Sequence, residues 1–227
     1  MRPLTFTITQ EVLDLGVKGI MSRVKGVKNT KNNSDFDIYL ESELVRLKQE
    51  LQGKNYKDDL VIQGFRALHE KIKRSNRKYP ASPEELLRIF IQTGRFPRIN
   101  LLVDIYNLVS LKTRLALGAH DIDKVVGNIS LRMTNGTEHF FPLGSKEVLL
   151  IQAGEYSYVD DGNNIICRME VLQVEPTKIT TDTSDVFLIV QGNGNTSNSY
   201  IQSGVNEVAR LIKKYYGKVA IPLNKLG

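Results

Sequence analysis

The stretch from Phe96 to Lys124, FPRINLLVDIYNLVSLKTRLALGAHDIDK, predicts a capped amphipathic helix followed by a polar loop. Asn100 is placed to cap the helix, because its side-chain oxygen can accept a backbone N–H that no preceding carbonyl reaches. Leu101, Ile105 and Leu108 then recur at helical spacing and predict an apolar face toward a core.

A polar stripe lies beside this apolar face. Asn100, Asp104 and Asn107 share one side of the predicted helix. Such a stripe either joins a loop to the helix or forms the wall of a pocket. Asp104 and Asp123 also suit a structural role, because short carboxylates cap turns and hold backbone N–H groups.

Outward from this helix, the chain shows helical patterns first and short strands later. Ser82, Pro83 and Glu85 predict a helix start, with Ser82 as N-cap and Glu85 completing a capping box, and Gly94 predicts its end. The other predicted helices are 35–51, 59–74 and 205–216. The predicted strands are 1–10, 17–27 (broken at its glycines), 125–133, 138–142, 148–152, 155–159, 165–167 and 186–190.

This order predicts an α+β fold built around one mixed sheet. We expect a single domain over residues 1–227, with N-terminal helices and a mixed or antiparallel β-sheet core. The run at 186–190 is apolar throughout and is typical of a central strand.

Composition limits the class of protein. With 227 residues, 41% of them hydrophobic, the chain can bury one sizeable core. No apolar run approaches the roughly 18 residues that span a bilayer. The start, MRPLTFTITQEVLDLG, has no secretory pattern, and Cys167 is the single cysteine, so we expect a cytoplasmic protein without disulfides or membrane association.

The charge is mildly basic, with 31 basic against 25 acidic residues and a net charge of +6. It permits a polyanionic partner. Five cations crowd the end of the helix predicted at 59–74, and they are either a solvated surface near a helix C-terminus or a phosphate-contacting patch. They are Lys71, Lys73, Arg74, Arg77 and Lys78.

Familiar catalytic signatures such as HExxH, GxSxG and the Walker loop do not occur, and we predict no cofactor. The three histidines are too scattered to predict a metal site. His69 and His139 suit surface or partly packed positions. His120, flanked by Gly118 and Asp121 in the predicted loop, is the best catalytic candidate of the three.

The segments Arg98–Asn100, Val103–Val109 and Asp121–Asp123 resemble the signature of the tRNA-binding and editing domain of the phenylalanyl-tRNA synthetase beta subunit. The resemblance is closer still to free-standing bacterial and archaeal proteins made of that domain alone. It is clearest over residues 79–191, with residues 1–78 as an N-terminal strand and helix extension.

The resemblance implies hydrolysis of the ester of a wrongly charged tRNA. Because that ester is activated, a pocket can act by positioning water and excluding the correct amino acid. The family has a Thr-Asn pair in the helix, a later His and a Glu in the late strand. Here these positions hold Tyr106 and Asn107, Gly118, and approximately Ile189, so Asn107 is the residue retained. The bulk of Tyr106 indicates a different or smaller ligand.

A second cluster resembles the free-standing proteins. Cys167-Arg168 and the run Thr177–Thr183 match the Cys-Arg and Thr-Lys-Ile-Thr motifs of those proteins. Arg168 and Lys178 are candidates to hold a carboxylate or phosphate near the loop. The alternative is that Arg168 pairs with Asp121 or Asp123 and locks the fold.

Three functions therefore stay open, and the third is a structural or interaction protein with a silent pocket. The first is an RNA-binding module with tRNA or aminoacyl-tRNA as partner, acting also as a hydrolase of mischarged aminoacyl-tRNA. The second is an amino-acid-like small-molecule binding protein or enzyme that no longer binds tRNA. The candidate catalytic residues are Asn107 and His120, and the candidate ligand-binding residues are Arg98, Asn100, Asp104, Tyr106, Gly118, Arg168 and Lys178.

Overall fold

The computed structural model describes residues 4–217, 219–220 and 223–224. Its helices are α1 (Gln10–Asp14), α2 (Ser34–Leu51), α3 (Leu60–Lys71), α4 (Ser82–Thr93), α5 (Leu101–Thr113) and α6 (Asn198–Tyr216). Its strands are β1 (Phe6–Ile8), β2 (Lys18–Lys25), β3 (Ala116–Asp121), β4 (Ile129–Met133), β5 (His139–Phe140), β6 (Leu149–Leu150), β7 (Tyr156–Asp160), β8 (Asn164–Arg168), β9 (Leu172–Gln173), β10 (Asp185–Gly192) and β11 (Leu223–Asn224).

The described strands form two sheets, so the α+β class is confirmed while the expectation of one mixed sheet is wrong. The larger sheet has the order β1-β4-β7-β8-β5-β6, with β9 paired to β8. The smaller sheet has the order β11-β2-β10-β3 and is antiparallel. A sheet that is apolar on both faces can lie between two other layers, and the smaller sheet does so.

The strand β10 shows this layering residue by residue. Val186, Leu188 and Val190 pack into a core shared with the helices. Phe187 and Ile189, which point the other way, pack into a core shared with the larger sheet. The five residues 186–190 are all apolar and buried, and they pair with strands on both sides, which confirms the prediction of a central strand for this run.

The start of α4 differs from the prediction. The N-cap is Ala81, not Ser82, and Glu85 is not part of a capping box. The Ser82 N–H donates instead to the Glu170 carbonyl at 2.9 Å, so a tertiary contact satisfies it. Gly94 ends the helix with φ of 68°, a left-handed conformation that glycine adopts without strain.

The segment after α5 also differs. Residues 116–121 form the strand β3 and not a loop, because they pair along their length with β10. The strand β2 likewise runs through Gly19 without the predicted break and ends before Gly26. Within the ranges given above, no helix is both long and apolar enough to cross a membrane.

Candidate functional site

A cavity of about 180 Å³ lies between the two sheets at the β3 edge, and α5 covers it. We call it the inter-sheet cavity. Its walls come from α5, β3, β10, Tyr158 of β7, Cys167 of β8 and the segment 169–173. The lining is mainly apolar with a few polar side chains, which is the usual composition of a small-molecule site.

The structure brings four of the predicted site residues together in this cavity. Tyr106 and Asn107 reach it from α5, and Gly118 and His120 reach it from β3. Ile189 of β10 lies in the same wall. Asn107 is half-buried, and its amide makes no hydrogen bond with another described residue.

His120 is nearly fully buried, with 1% of its surface exposed. Its Nδ1 lies 2.9 Å from the Thr177 hydroxyl, and its Nε2 has no partner among the described residues. Burial lowers the pKa of His120 to about 3, so the imidazole is neutral at pH 7. Through Nε2 the ring can form one hydrogen bond with a ligand or water, but it does not act as a general acid.

Tyr106 is also buried. Burial raises the pKa of its hydroxyl, and the nearby side-chain amide of Gln173 offsets that shift only in part. The phenol therefore stays protonated and can donate a hydrogen bond in the cavity.

A buried polar network adjoins the cavity, and sequence analysis missed it. Glu170 Oε1 lies 2.6 Å from His69 Nε2. Glu170 Oε2 accepts from the Tyr156 hydroxyl at 2.6 Å and from Gln191 Nε2 at 3.0 Å. Gln191 Oε1 in turn accepts from the Tyr158 hydroxyl at 2.7 Å. The carboxylate is thus fully paired.

The surface or partly packed position predicted for His69 is wrong. The side chain is completely buried on the core face of α3, where Glu170 is its partner. Burial lowers the pKa of His69, but the hydrogen bond and charge of Glu170 outweigh burial and leave this pKa above its ordinary value. The position between Phe65 and Ile72 on one helix face was the signal in the sequence.

The polar stripe of α5 divides between the two expected roles. Asn100 caps the helix, accepting from Val103 N–H at 3.1 Å. Asp104 accepts from Ile99 N–H at 2.8 Å and from Arg98 Nε at 2.7 Å. These side chains join the preceding loop to the helix, and Asn107 alone of the stripe lines the cavity.

Arg168 and Lys178 lie outside the cavity lining. Arg168 forks onto Glu155 through bonds of 2.6 and 2.7 Å and lies 4.5 Å from the centre of the Tyr79 ring. Its partner is therefore not either of the aspartates considered from the sequence. Lys178 pairs with Glu175 at the surface.

The five predicted RNA-contacting cations are not equivalent. Arg74 is half-buried and pairs with Glu155. The other four are exposed, and Lys71 also donates to the Leu15 carbonyl at 2.7 Å. Lys78 lies 5.2 Å from the centre of the Tyr79 ring, a few residues before Ser82 in the cavity wall. Contact with RNA stays a prediction for these side chains.

Known proteins resemble this chain in sequence. A family model described as the B3/4 domain matches residues 66–216. The phenylalanine–tRNA ligase beta subunit of Wolbachia sp. subsp. Brugia malayi is 33% identical over 90 residues, which cover 40% of this chain and 11% of that protein. The corresponding subunit of Methanosphaera stadtmanae is 30% identical over 118 residues, covering 43% and 21%. The aligned part is thus 11% and 21% of these relatives' length.

The fold is also similar to a solved structure. It matches an N-terminal fragment of the phenylalanyl-tRNA synthetase beta-subunit from Pyrococcus horikoshii with a TM-score of 0.53 and 16% sequence identity. The match covers 100% of this chain and 55% of that fragment. At this identity the likeness concerns the fold alone.

Proposed function

Since the chain belongs to the B3/4 domain family, we propose that it receives the aminoacyl end of a mischarged tRNA in the inter-sheet cavity and hydrolyses the ester bond in trans. One observation carries this proposal. The cavity combines an apolar wall with two polar groups that have no hydrogen-bond partner among the described residues, the Asn107 amide and the His120 Nε2.

The size of the cavity supports an amino acid side chain as occupant. A dry cavity of roughly 150 Å³ accommodates a benzene ring. The inter-sheet cavity, at about 180 Å³, therefore has room for an apolar side chain of that order.

The chemistry needs little from the protein, because an aminoacyl ester is already activated. The polar groups of Asn107 and His120 hold a water against the ester carbonyl. The water oxygen bonds to the carbonyl carbon, the bond to the ribose oxygen breaks, and the proton from water ends on that ribose oxygen. His120, being neutral, orients the water and carries no charge into the reaction.

The exposed cations that precede Ser82 along the chain supply the second half of the proposal. Lys73, Arg77 and Lys78 follow α3 and precede the cavity residue Ser82 along the chain. They contact phosphates of the bound tRNA, an interaction that weakens as salt rises.

A panel of mischarged tRNAs, incubated with the wild-type protein and with Asn107→Ala and His120→Ala, tests this function. We expect release of at least one amino acid, slowed about 100-fold by either substitution because the water is no longer held in place. His139→Ala is the matched control, since that histidine is exposed. Release that both cavity substitutions leave unchanged removes the assigned site.

A second candidate function is binding of a free amino-acid-like molecule without tRNA. Its support is that Arg74 and Arg168 are both held by Glu155 and are not available to a polyanion. A free amino acid that raises the melting temperature, while tRNA does not, would favour this candidate.

A further inference from the structure

Gln173 is a cavity residue to which sequence analysis assigned no role. It lies on β9, where it pairs with Cys167 of β8, and its carbonyl accepts from Leu143 N–H at 3.0 Å. These backbone contacts on both sides fix the residue, and its half-buried side chain lies in the cavity wall.

The Gln173 side chain lies over Gly118. A Cβ atom built on Gly118 would be 2.8 Å from Gln173 Nε2, closer than real Cβ contacts come. A side chain at position 118 and the present position of the Gln173 amide therefore exclude each other. Tyr106 of α5 lines the cavity together with Gly118 and Gln173, so residues from α5, β3 and β9 meet there.

The charged groups of the cavity lining disfavour a ligand that carries a carboxylate. The described lining contains no lysine or arginine, and its one carboxylate, Glu170, is already paired with His69. A ligand carboxylate in this cavity would lose its hydration without gaining a cation, which is costly. An uncharged carbonyl needs only a hydrogen-bond donor.

We propose that Gln173 is the specificity-determining residue of the inter-sheet cavity, which accepts the uncharged carbonyl of an esterified amino acid and rejects the free carboxylate. Gln173 Nε2 donates to the Tyr106 oxygen and fixes that hydroxyl, and the hydroxyl proton is donated to the ligand carbonyl. Gly118 provides the space in which Gln173 lies. The inference rests on the proposed function, because it names the substrate class of that cavity.

Calorimetric titration with small probes tests this inference without tRNA. The probes are the methyl esters of alanine, valine, leucine and phenylalanine, together with the four free amino acids. The proteins are the wild type, Gln173→Ala, Gln173→Met and Gly118→Ala, with Gln152→Ala as control because Gln152 is exposed. The methionine variant keeps the length of the side chain and removes its hydrogen bonds.

We expect at least one ester to bind the wild type and the control equally, and its free acid to bind at least tenfold more weakly. Each Gln173 variant should weaken ester binding about five- to tenfold, the usual effect of losing one hydrogen bond. Gly118→Ala should do the same although it keeps Gln173, because the new methyl group displaces the amide. If Gln173 were only structural, its substitution would not reduce the preference for esters over free acids in a variant whose melting temperature equals that of the wild type.

Equal binding of esters and free acids, or ester binding that the Gln173 and Gly118 substitutions leave unchanged, would overturn the inference. The outcome is separable from that of the proposed function. Ester binding through Gln173 with no tRNA hydrolysis refutes only the function, and hydrolysis that depends on Asn107 but not on Gln173 refutes only the inference.

Discussion

Two buried histidines carry opposite pKa shifts because only one of them has a carboxylate partner. His69 has Glu170 and its pKa lies above the ordinary value, so its contribution to stability is present below pH 6.5 and is lost as pH rises through the folded-state pKa. Among the described residues His120 is bonded only to the Thr177 hydroxyl, and burial lowers its pKa to about 3.

The shift of His120 predicts how stability depends on pH. Between pH 6.5 and about 3 the unfolded state binds a proton that the folded state does not, so stability falls as pH falls through that window. His120→Gln removes the titrating group, and we expect the free energy of unfolding to decline less steeply below pH 6.5. Urea unfolding at a series of pH values measures this slope. The control His139→Gln should match the wild type, and a slope unaltered in His120→Gln would contradict the prediction.

At the residue scale, the sequence predicts which side chains share one face of an element, but it does not predict which side chains of distant elements form ion pairs. Asn100, Asp104 and Asn107 were placed on one side of a helix because they are local neighbours, and the structure puts them there. For Arg168 the sequence offers a ligand anion or, as the alternative, Asp121 or Asp123, yet its partner is Glu155. Which of many acidic residues faces an arginine depends on sheet register, which no local pattern contains.

At the scale of the elements, two helix starts with similar sequence signals make unequal contributions. The Asn100 oxygen accepts from Val103 N–H, and its amide donates to the Ile179 carbonyl at 3.2 Å. Asn29 Nδ2 also donates to Asn100 at 3.0 Å. Ser82, in contrast, makes no capping bond because Ala81 is the N-cap.

We therefore predict that Asn100→Ala lowers the free energy of unfolding by about 2 kcal/mol or more, since it removes a cap and leaves buried polar partners unpaired. Ser82→Ala, the matched control at the other helix start, should change it by less than about 0.5 kcal/mol. Urea denaturation of both variants measures the difference. Equal losses would mean that Ser82 caps α4 after all.

Strongly periodic or uniformly apolar elements were predictable, and the element that depends on tertiary pairing was not. The helix α5 and the strand β10 follow from their own side chains. The strand β3 carries Gly118 and His120 among small residues, so it lacks a pattern of its own and is extended because β10 pairs with it. Because the cavity lies against this strand, the residues that line the cavity could not all be predicted from the sequence.

At the scale of the whole molecule, the smaller sheet is the middle layer between helices and the larger sheet. Local patterns predict most strands of both sheets, although not β3, but they do not predict that the strands divide into two sheets, because the stacking of sheets depends on which faces meet. The exposed cations Lys73, Arg77 and Lys78 lie where the chain passes from α3 to α4. This segment leads directly to the cavity wall at Ser82.

If this segment guides tRNA to the cavity, reversing its charge must weaken binding in a salt-dependent way. We predict that the triple variant Lys73→Glu, Arg77→Glu and Lys78→Glu lowers tRNA affinity. Its slope of log affinity against log salt should be smaller by about 2 to 3, because each phosphate contact contributes roughly 0.7 to 0.9. Filter binding across a salt series measures the slope.

The control variant is Lys48→Glu, Lys54→Glu and Lys57→Glu. It changes net charge equally at other exposed positions and should keep more of the affinity. Equal losses in both variants would show that tRNA responds to net charge alone, and the segment would then have no special part in binding.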